Sequence, residues 1–181
     1  MKKILLLLAF NFIVLLSFGQ FPEEPLKKHK PIPLFFLDSV LIDQIDLINF
    51  DPDDIAVISM LKGQFAVELL GEKAKNGVVY METKGFAKKR YWNYFKSKSI
   101  AYSNLIPKVN EDNSIQYILN GKILKRDFEG DLASIKDDTF KTIKILSKRD
   151  LIRNFRINNK KYGVLIVSSA PSPSFIGQNP L

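Results

Sequence analysis

Hydrophobic positions in residues 34–85 fall into three short runs that are separated by polar turns. The runs at 34–41 and Ile55–Leu61 are almost continuously apolar, which is typical of strands that are covered on both faces. The third run, Val78–Thr83, follows an Asn-Gly pair that favours a turn. The pattern therefore predicts a small α/β (α+β) module of about three strands in a mixed sheet, with short helices between them.

Two polar stretches between these runs predict helical turns. Residues 51–54, Asp-Pro-Asp-Asp, have the form of a helix start, with a capping aspartate, a proline at the first helical position and two carboxylates near the positive end of the helix dipole. A cation site is the alternative, but the spacing and turn glycine of an EF-hand are missing. Residues 64–73 place Phe65 and Leu69 one turn apart, which predicts a helix that ends near Gly71.

The second half of the chain repeats the order of the first. Three matches occur in sequence, 117–123 with 35–41, 140–148 with 55–63, and 162–167 with 76–81, at separations of 82, 85 and 86 residues. A shared Gly-Val pair lies in the third match, and an acidic turn precedes the second match in both halves. Because the three separations differ by only a few residues and the order is kept, the sequence predicts a tandem duplication. Its modules lie at 34–85 and 114–169 and are joined by residues 86–113.

The joining region begins with a basic aromatic segment. Residues 84–98 interleave six cations with five aromatic rings. This mixture is typical of an amphipathic connecting helix, whose rings pack on a domain while its lysines stay in water. A lipid-headgroup or anionic-glycan surface is the alternative, and nucleic acid is not expected as a partner of an exported protein. Five consecutive residues are predicted as a partner-binding surface: Lys88, Lys89, Arg90, Tyr91 and Trp92.

The first nineteen residues have the pattern of a secretory signal peptide. Lys2 and Lys3 precede an apolar core at 4–16, and small residues at Ser17 and Gly19 suit a cleavage site before Gln20. The apolar core is shorter than the roughly 20 residues of a membrane-spanning helix, so a retained anchor is the less favoured alternative. The chain has no cysteine, which excludes disulfides and a lipid-modified cysteine. We therefore expect a bacterial envelope protein in the periplasm or at the outer-membrane periphery.

Polar segments rich in proline flank the two modules. Residues 20–33 carry four of the nine prolines and no apolar period, which favours an extended arm. Residues 170–181 form a Pro/Ser tail. Removal of the leader would lower the net charge from +8 to +6. Ordinary solubilising charge is the favoured interpretation, and an acidic partner is the alternative.

The sequence lacks the common catalytic motifs. The single histidine, His29, lies in a Lys-Lys-His-Lys run, which suits neither a catalytic base nor a metal ligand. No nucleophile elbow, phosphate-binding loop or His-Glu-x-x-His motif occurs. Carboxylates remain as the route to catalysis, at Asp51, Asp53, Asp54, Asp137 and Asp138, where helix caps are expected. The sequence therefore predicts no enzymatic activity, cofactor or metal, and a carboxylate-dependent hydrolase is the third-ranked alternative.

The first module resembles the plug domain of TonB-dependent outer-membrane receptors, with the closest likeness to the glycan importers of Bacteroidetes. Those plugs run from a strand ending in Asp-Gly, through Asp-Ile-x-x-Ile-x-Val-Leu-Lys, to Tyr-Gly and Asn-Gly-Val-Ile-x-Ile-x-Thr-Lys. The likeness covers about fifty residues, at 37–38, 55–62, 70–71 and 76–84. Ser39 stands where those plugs have glycine, and Leu70 stands where they have tyrosine.

This resemblance implies a plug-like fold that binds no cofactor and catalyses nothing. It implies that Asp38, Gly71, Asn76 and Gly77 are turn and strand-end residues. Receptors of the family continue into a barrel of many strands, but this sequence ends where the barrel would begin and shows no TonB box before Leu34. We expect a non-enzymatic envelope protein that binds a protein partner or a glycan. An accessory component of TonB-dependent glycan uptake, acting with a separate barrel, is the alternative.

Overall fold

The computed structural model describes residues 31–169, and the described residues from Ile32 onward form one compact unit. This unit is a mixed α/β structure with two four-stranded sheets, which confirms the predicted fold class. The predicted leader, most of the predicted arm and the predicted tail lie outside the described residues. Within residues 31–169, no helix is both long and apolar enough to cross a membrane.

The first module contains four strands, one α-helix and three short 3-10 helices. The strands are β1 (Leu34–Leu37), β2 (Val40–Ile42), β3 (Ile55–Leu61) and β4 (Val78–Thr83). The α-helix is α1 (Gly63–Leu70), and the 3-10 helices are Gln44–Asn49, Pro52–Asp54 and Glu72–Ala74. The helical turns therefore lie in both stretches where the polar pattern predicted them.

Two helices connect this module to a second one with the same plan. The connecting helices are α2 (Lys84–Lys98) and α3 (Ile100–Leu105). The second module contains β5 (Ile115–Leu119), β6 (Lys122–Ile123), α4 (Glu129–Ala133), β7 (Phe140–Leu146), α5 (Lys148–Phe155) and β8 (Tyr162–Ser168).

The two sheets have the same topology. Their strand orders are β2-β1-β4-β3 and β6-β5-β8-β7. In each sheet the two central strands are parallel and the two outer pairs are antiparallel. The third strand of each module also has a register shift at the same point, between Ile55 and Val57 in β3 and between Phe140 and Thr142 in β7. Structure and sequence thus agree on two modules of one kind.

The predicted single strand at 34–41 is wrong, because the structure has a hairpin there. Asp38 and Ser39 have φ angles of 51° and 71°, and Asn120 and Gly121 have φ angles of 51° and 82° in the second module. Two-residue hairpin turns with positive φ angles favour Asn-Gly, which the second module has and the first lacks. Each sheet consequently has four strands, one more than the sequence predicted.

The predicted separation of 86 residues for the last strand is also wrong. Ile58 pairs with Met81 in the first sheet, and Ile143 pairs with Ile166 in the second. Equivalent residues of the third and fourth strands are therefore 85 residues apart in the two modules. The Gly-Val sequences at 77–78 and 163–164, which are 86 residues apart, consequently do not occupy equivalent positions. Since neighbouring residues of a strand point to opposite faces, the shift by one residue exchanges the two faces of that strand.

A polar clamp ties the hairpin turn to the end of the neighbouring strand in both modules. The Asp38 carboxylate accepts hydrogen bonds from the backbone N–H of Thr83 at 2.7 Å and from its hydroxyl at 2.8 Å. In the second module, the Asn120 Oδ1 accepts from the Ser168 N–H at 2.9 Å, and the Asn120 Nδ2 donates to the Ser168 carbonyl at 3.0 Å. The equivalent residues make the same connection with different chemistry.

Replacing Asp38 by alanine is expected to lower the free energy of unfolding by about 1–2 kcal/mol, because two hydrogen bonds to Thr83 are lost. Asp38→Asn should retain most of the stability, since Asn120 forms the equivalent clamp and asparagine tolerates a positive φ. Urea denaturation followed by circular dichroism measures both variants. Equal losses for alanine and asparagine would contradict the clamp.

The largest part of the core lies on the second sheet, beneath the connecting helices. Side chains of α2, α3, α4, β5 and β8 form its main cluster. Of the ten largest side chains that are less than 2% exposed, Val78 is the one contributed by the strands and helices of the first module. The first sheet has only two small clusters, one on each face. The second module and the connecting helices therefore form the well-packed part of the described chain.

The two modules meet at a glycine. Gly130 in α4 is buried against the backbone of β3, at the register shift beside Ala56. A Cβ atom at Gly130 would lie 2.3 Å from the Ala56 carbonyl oxygen, far inside van der Waals contact. The contact therefore requires a residue without a side chain.

Candidate binding surface

The predicted partner-binding residues lie on α2, a helix over residues 84–98 as the sequence predicted. The Thr83 hydroxyl caps this helix by accepting from the Phe86 N–H at 3.1 Å. Ala87, Tyr91 and Phe95 recur every four residues and are each at most 1% exposed. Tyr91 is therefore a core residue, which corrects its prediction as part of a contact surface.

Most cations of α2 are paired within the molecule. Lys88 lies 2.8 Å from Asp112, whose side chain is 8% exposed, and Arg90 donates two hydrogen bonds to Glu82 from Nε and Nη2. Lys98 lies 2.6 Å from Asp137. Lys89 is exposed and forms no ion pair within the described residues.

Trp92 connects α2 to the end of α3. Its Nε1 donates to the Ile106 carbonyl at 3.0 Å, and the Lys96 ammonium lies 4.2 Å from the centre of its ring. The predicted surface is thus divided, with one ring in the core, three residues held by internal contacts and one free lysine. Partner binding through Lys88, Lys89, Arg90 and Trp92 stays a prediction.

The four motif residues of the plug resemblance lie in turns and beside strand ends. Asp38 forms the clamp described above, and Asn76 is exposed in the turn before β4. Gly71 ends α1 with a φ of 77°. Gly77 has a φ of 95°, and a Cβ there would lie 3.0 Å from the Leu61 carbonyl oxygen. Both glycines therefore occupy backbone conformations that other residues rarely adopt.

Three tyrosines meet beneath α2. The hydroxyls of Tyr102 and Tyr117 lie 3.0 Å apart, and the ring of Tyr91 packs edge-on against that of Tyr117. Burial raises the pKa of all three hydroxyls well above the ordinary range. They stay protonated at neutral pH, and the Tyr102 and Tyr117 hydroxyls hydrogen-bond to each other within the core. The Tyr91 hydroxyl has no hydrogen-bond partner among the described residues.

The acidic turns make structural contacts in both modules, a local one in the first and a long-range one in the second. Asp51 caps the turn at 52–54 by accepting from the Asp53 N–H at 2.9 Å, as predicted. In the second module Asp137 accepts from Tyr94 at 3.0 Å and pairs with Lys98. The Lys98 ammonium lowers the pKa of Asp137, while burial, with the Asp137 carboxylate, raises the pKa of Tyr94 to about 12. Among residues 31–169, no group of three or more His, Cys, Asp or Glu side chains could hold a metal ion.

Exposed apolar side chains concentrate in the first module. Ten of the fourteen exposed large hydrophobic residues in the described chain belong to residues 32–69. They are Ile32, Val40, Leu41, Ile45, Ile48, Phe50, Ile58, Met60, Phe65 and Leu69.

One side of the first sheet, which we call the open face, carries two apolar rows across all four strands. The rows are Val40, Leu37, Met81 and Ile58, and Ile42, Phe35, Val79 and Met60. Residues paired in this way share one face of a sheet. Leu47 and Ile55 pack against the centre of the open face. On its edges Val40, Ile58 and Met60 remain 64%, 57% and 51% exposed.

The same face of the second sheet is covered. Ile143 and Ile145 of β7 occupy the positions of Ile58 and Met60, 85 residues later. Both isoleucines pack against the cluster that contains Tyr91, Phe95 and Tyr102 of the connecting helices. The two modules therefore share a sheet and its register but differ in what lies on the sheet.

The charge around the open face is opposite in sign to that of the whole chain. Residues 34–61 contain six aspartates and no lysine or arginine, whereas the full sequence has a net charge of +8. Asp43 precedes the 3-10 helix at Gln44–Asn49, Asp46 lies in its first turn, and Leu47 of this helix packs on the open face. Asp51, Asp53 and Asp54 precede β3. An apolar surface with carboxylates beside it suits a cationic, apolar partner.

Two open clefts lie elsewhere on the described surface. One, of about 240 Å³, lies beside α2 and is lined in part by Arg90, Tyr94 and Asp137. The other, of about 700 Å³, lies at the start of α5 and is lined mainly by charged side chains. In the first cleft, Arg90 is already paired with Glu82 and Asp137 with Lys98. The open face of the first module is therefore the better candidate for a binding surface.

Comparison with known proteins finds no matching family model, no matching curated protein and no matching solved structure.

Proposed function

We propose that this protein is a non-enzymatic binding protein of the bacterial cell envelope, and that it binds a protein partner through the open face of its first module. One observation carries the proposal: Ile58 and Met60 are 57% and 51% exposed, whereas the equivalent Ile143 and Ile145 are partly buried against the main core cluster. Burial of exposed isoleucine and methionine side chains by a partner is favourable, because it removes apolar surface from water.

The distribution of packing supports a division of roles between the modules. The second module and the connecting helices contain the large buried side chains, so they form a scaffold that does not depend on a partner. The first module presents most of the exposed apolar surface. In this proposal the scaffold holds the first module in place, through the close contact of Gly130 with Ala56, while the first module binds.

The envelope location rests on the leader pattern and on the absence of cysteine. The resemblance of the first module to receptor plugs favours an outer-membrane receptor as the partner. An accessory role in glycan uptake, beside a separate barrel, is the form of this function that the resemblance suggests.

Affinity capture from the envelope extract of the source cells, followed by mass spectrometry, tests the proposal. The intact protein should retain a specific partner, and Ile58→Thr/Met60→Thr should lose it, because threonine keeps strand propensity but removes apolar area. Phe65→Ser/Leu69→Ser is the matched control, since both residues are exposed on α1, which packs on the opposite face of the sheet.

The surface predicted on α2 is tested in the same experiment with Lys89→Ala. Lys89 is the informative residue, because removal of Lys88 would leave the buried Asp112 without its ion-pair partner. Loss of the partner with Lys89→Ala and retention with the Ile58/Met60 variant would transfer the binding site to α2. Recovery of no protein would contradict a protein partner and direct the search to glycans.

A further inference from the structure

The second module shows what kind of element covers the open face. In that module α2 and α3 lie against the sheet, and Tyr91, Phe95 and Tyr102 from these helices join Ile143 and Ile145 in one cluster. Lys84 and Lys98, at the two ends of α2, pair with Asp127 and Asp137 on the module beneath. The occupant there is a helix pair, in which α2 supplies aromatic residues and cations that reach acidic residues of the module and α3 supplies Tyr102.

The open face of the first sheet offers the same template. Ile58 and Met60, which take the positions of Ile143 and Ile145, are the exposed part of this template. Val79 and Met81 take the positions of Val164 and Ile166, and they are already buried beside Leu47 and Ile55. The acidic turn at 51–54 precedes β3 in the first module, as the turn that contains Asp137 precedes β7 in the second. Within the described residues, Asp53 and Asp54 are exposed and form no ion pair. The pKa of Lys84 is raised mainly by its hydrogen bond to Asp127 and, to a smaller extent, by the charge of Asp53, so this acidic turn already acts on one cation at the start of α2.

We infer that the open face binds a basic amphipathic α-helix of a partner protein, with bulky apolar residues one turn apart and lysine or arginine near both ends. This inference rests on the proposed function and names the chemistry of the partner. Two open faces packed on each other would bring two sets of aspartates together, so charge disfavours a second copy of this chain as the occupant.

The chain itself supplies a probe. A fluorescent peptide that copies residues 84–106 has the composition of the helix pair seated on the second sheet. Fluorescence anisotropy with the intact, exported protein should give a dissociation constant of about 1–100 μM, a range in which single-helix contacts are measurable. A control peptide with serine in place of Tyr91, Phe95 and Tyr102 should not bind.

Variants of the protein locate the contact. Ile58→Thr/Met60→Thr should weaken peptide binding by about tenfold or more, and Asp53→Asn/Asp54→Asn by about fivefold with a reduced dependence on salt. Phe65→Ser/Leu69→Ser should leave the affinity unchanged. Circular dichroism establishes that each variant is folded. If the Ile58→Thr/Met60→Thr variant does not fold, the Asp53→Asn/Asp54→Asn variant still tests the contact, because both aspartates are exposed.

Three results would overturn the inference. Failure of the peptide to bind at about 1 mM, while the Ile58/Met60 surface still captures an envelope protein, would reject a helical occupant and leave the proposed function in place. Peptide binding only after deletion of residues 20–30 would identify the chain's own arm as the occupant. Self-association in sedimentation that disappears with Ile58→Thr/Met60→Thr would identify a second copy.

Discussion

Replacing Phe95 by alanine is expected to lower the free energy of unfolding by about 3–5 kcal/mol, because a large, fully buried ring is lost from the core. The Phe95 side chain is 0% exposed, and its ring lies 6.0 Å from Tyr91, 5.7 Å from Tyr102 and 6.4 Å from Phe140, between ring centres. Alanine would leave a cavity between the connecting helices and the second sheet. Urea denaturation followed by circular dichroism measures the loss.

Phe65→Ala is the matched control, since it makes the same chemical change on the surface. Phe65 is 63% exposed on α1, so its replacement should change the free energy of unfolding by less than about 0.5 kcal/mol. Similar losses at the two positions would mean that Phe95 is not at the centre of the core. A loss at Phe65 alone would place the main stabilising contacts in the first module.

Replacing Gly130 by alanine is expected to lower the free energy of unfolding by about 1–3 kcal/mol, through a clash between the modules. The added Cβ would lie 2.3 Å from the Ala56 carbonyl oxygen and 3.2 Å from its carbonyl carbon. These are backbone atoms of a paired strand, so they cannot rotate away as a side chain would. Amide hydrogen exchange should show faster exchange in Ile55–Leu61 than in the second sheet.

Gly85→Ala is the control for this second prediction. A Cβ at Gly85 would meet no closer atom than the Thr83 hydroxyl oxygen at 4.0 Å, and Gly85 lies in the first turn of α2. Alanine there should leave stability unchanged or raise it by up to about 1 kcal/mol, because alanine favours the helix. Destabilisation by Gly85→Ala equal to that of Gly130→Ala would refute the steric argument.

Strands and helices with strong local signals were predictable. The runs at Ile55–Leu61 and Val78–Thr83 are the strands β3 and β4, and the aromatic periodicity of residues 84–98 is the helix α2. The resemblance to receptor plugs implied a turn or strand end at Asp38, but the local pattern predicted one continuous strand, because neither Asp38 nor Ser39 is glycine or asparagine, the usual signals of positive φ. The hairpin is held instead by the distant Thr83, which the local sequence does not reveal.

The duplication was predictable in outline, but its register was not. The sequence aligns Gly77 with Gly163 through the following valines, whereas the strand pairing aligns Val78 with Gly163. Gly77 makes a turn with a positive φ, whereas Gly163 packs against the side chain of Leu151. The two Gly-Val pairs therefore have different structural roles, and only the pairing of strands distinguishes them.

The candidate surface shows the same limit. Composition directed attention to the cations and rings of residues 84–98, because exposed and buried aromatic residues are identical in a sequence. Tertiary packing puts Tyr91 in the core and pairs Lys88 with Asp112. The signal that could have found the open face is the absence of lysine and arginine from residues 34–61, where six aspartates accompany the apolar runs.

The sequence by itself determined the α/β class, two modules of one kind and the helix between them, because periodicity and turn chemistry act over a few residues. Only the tertiary structure decided which module is covered. Ile58 and Ile143 are the same residue type in the same register of equivalent sheets, yet Ile58 is 57% exposed and Ile143 is partly buried against the cluster that contains side chains of α2 and α3. Exposure depends on where the connecting helices lie, which is a property of the assembled fold.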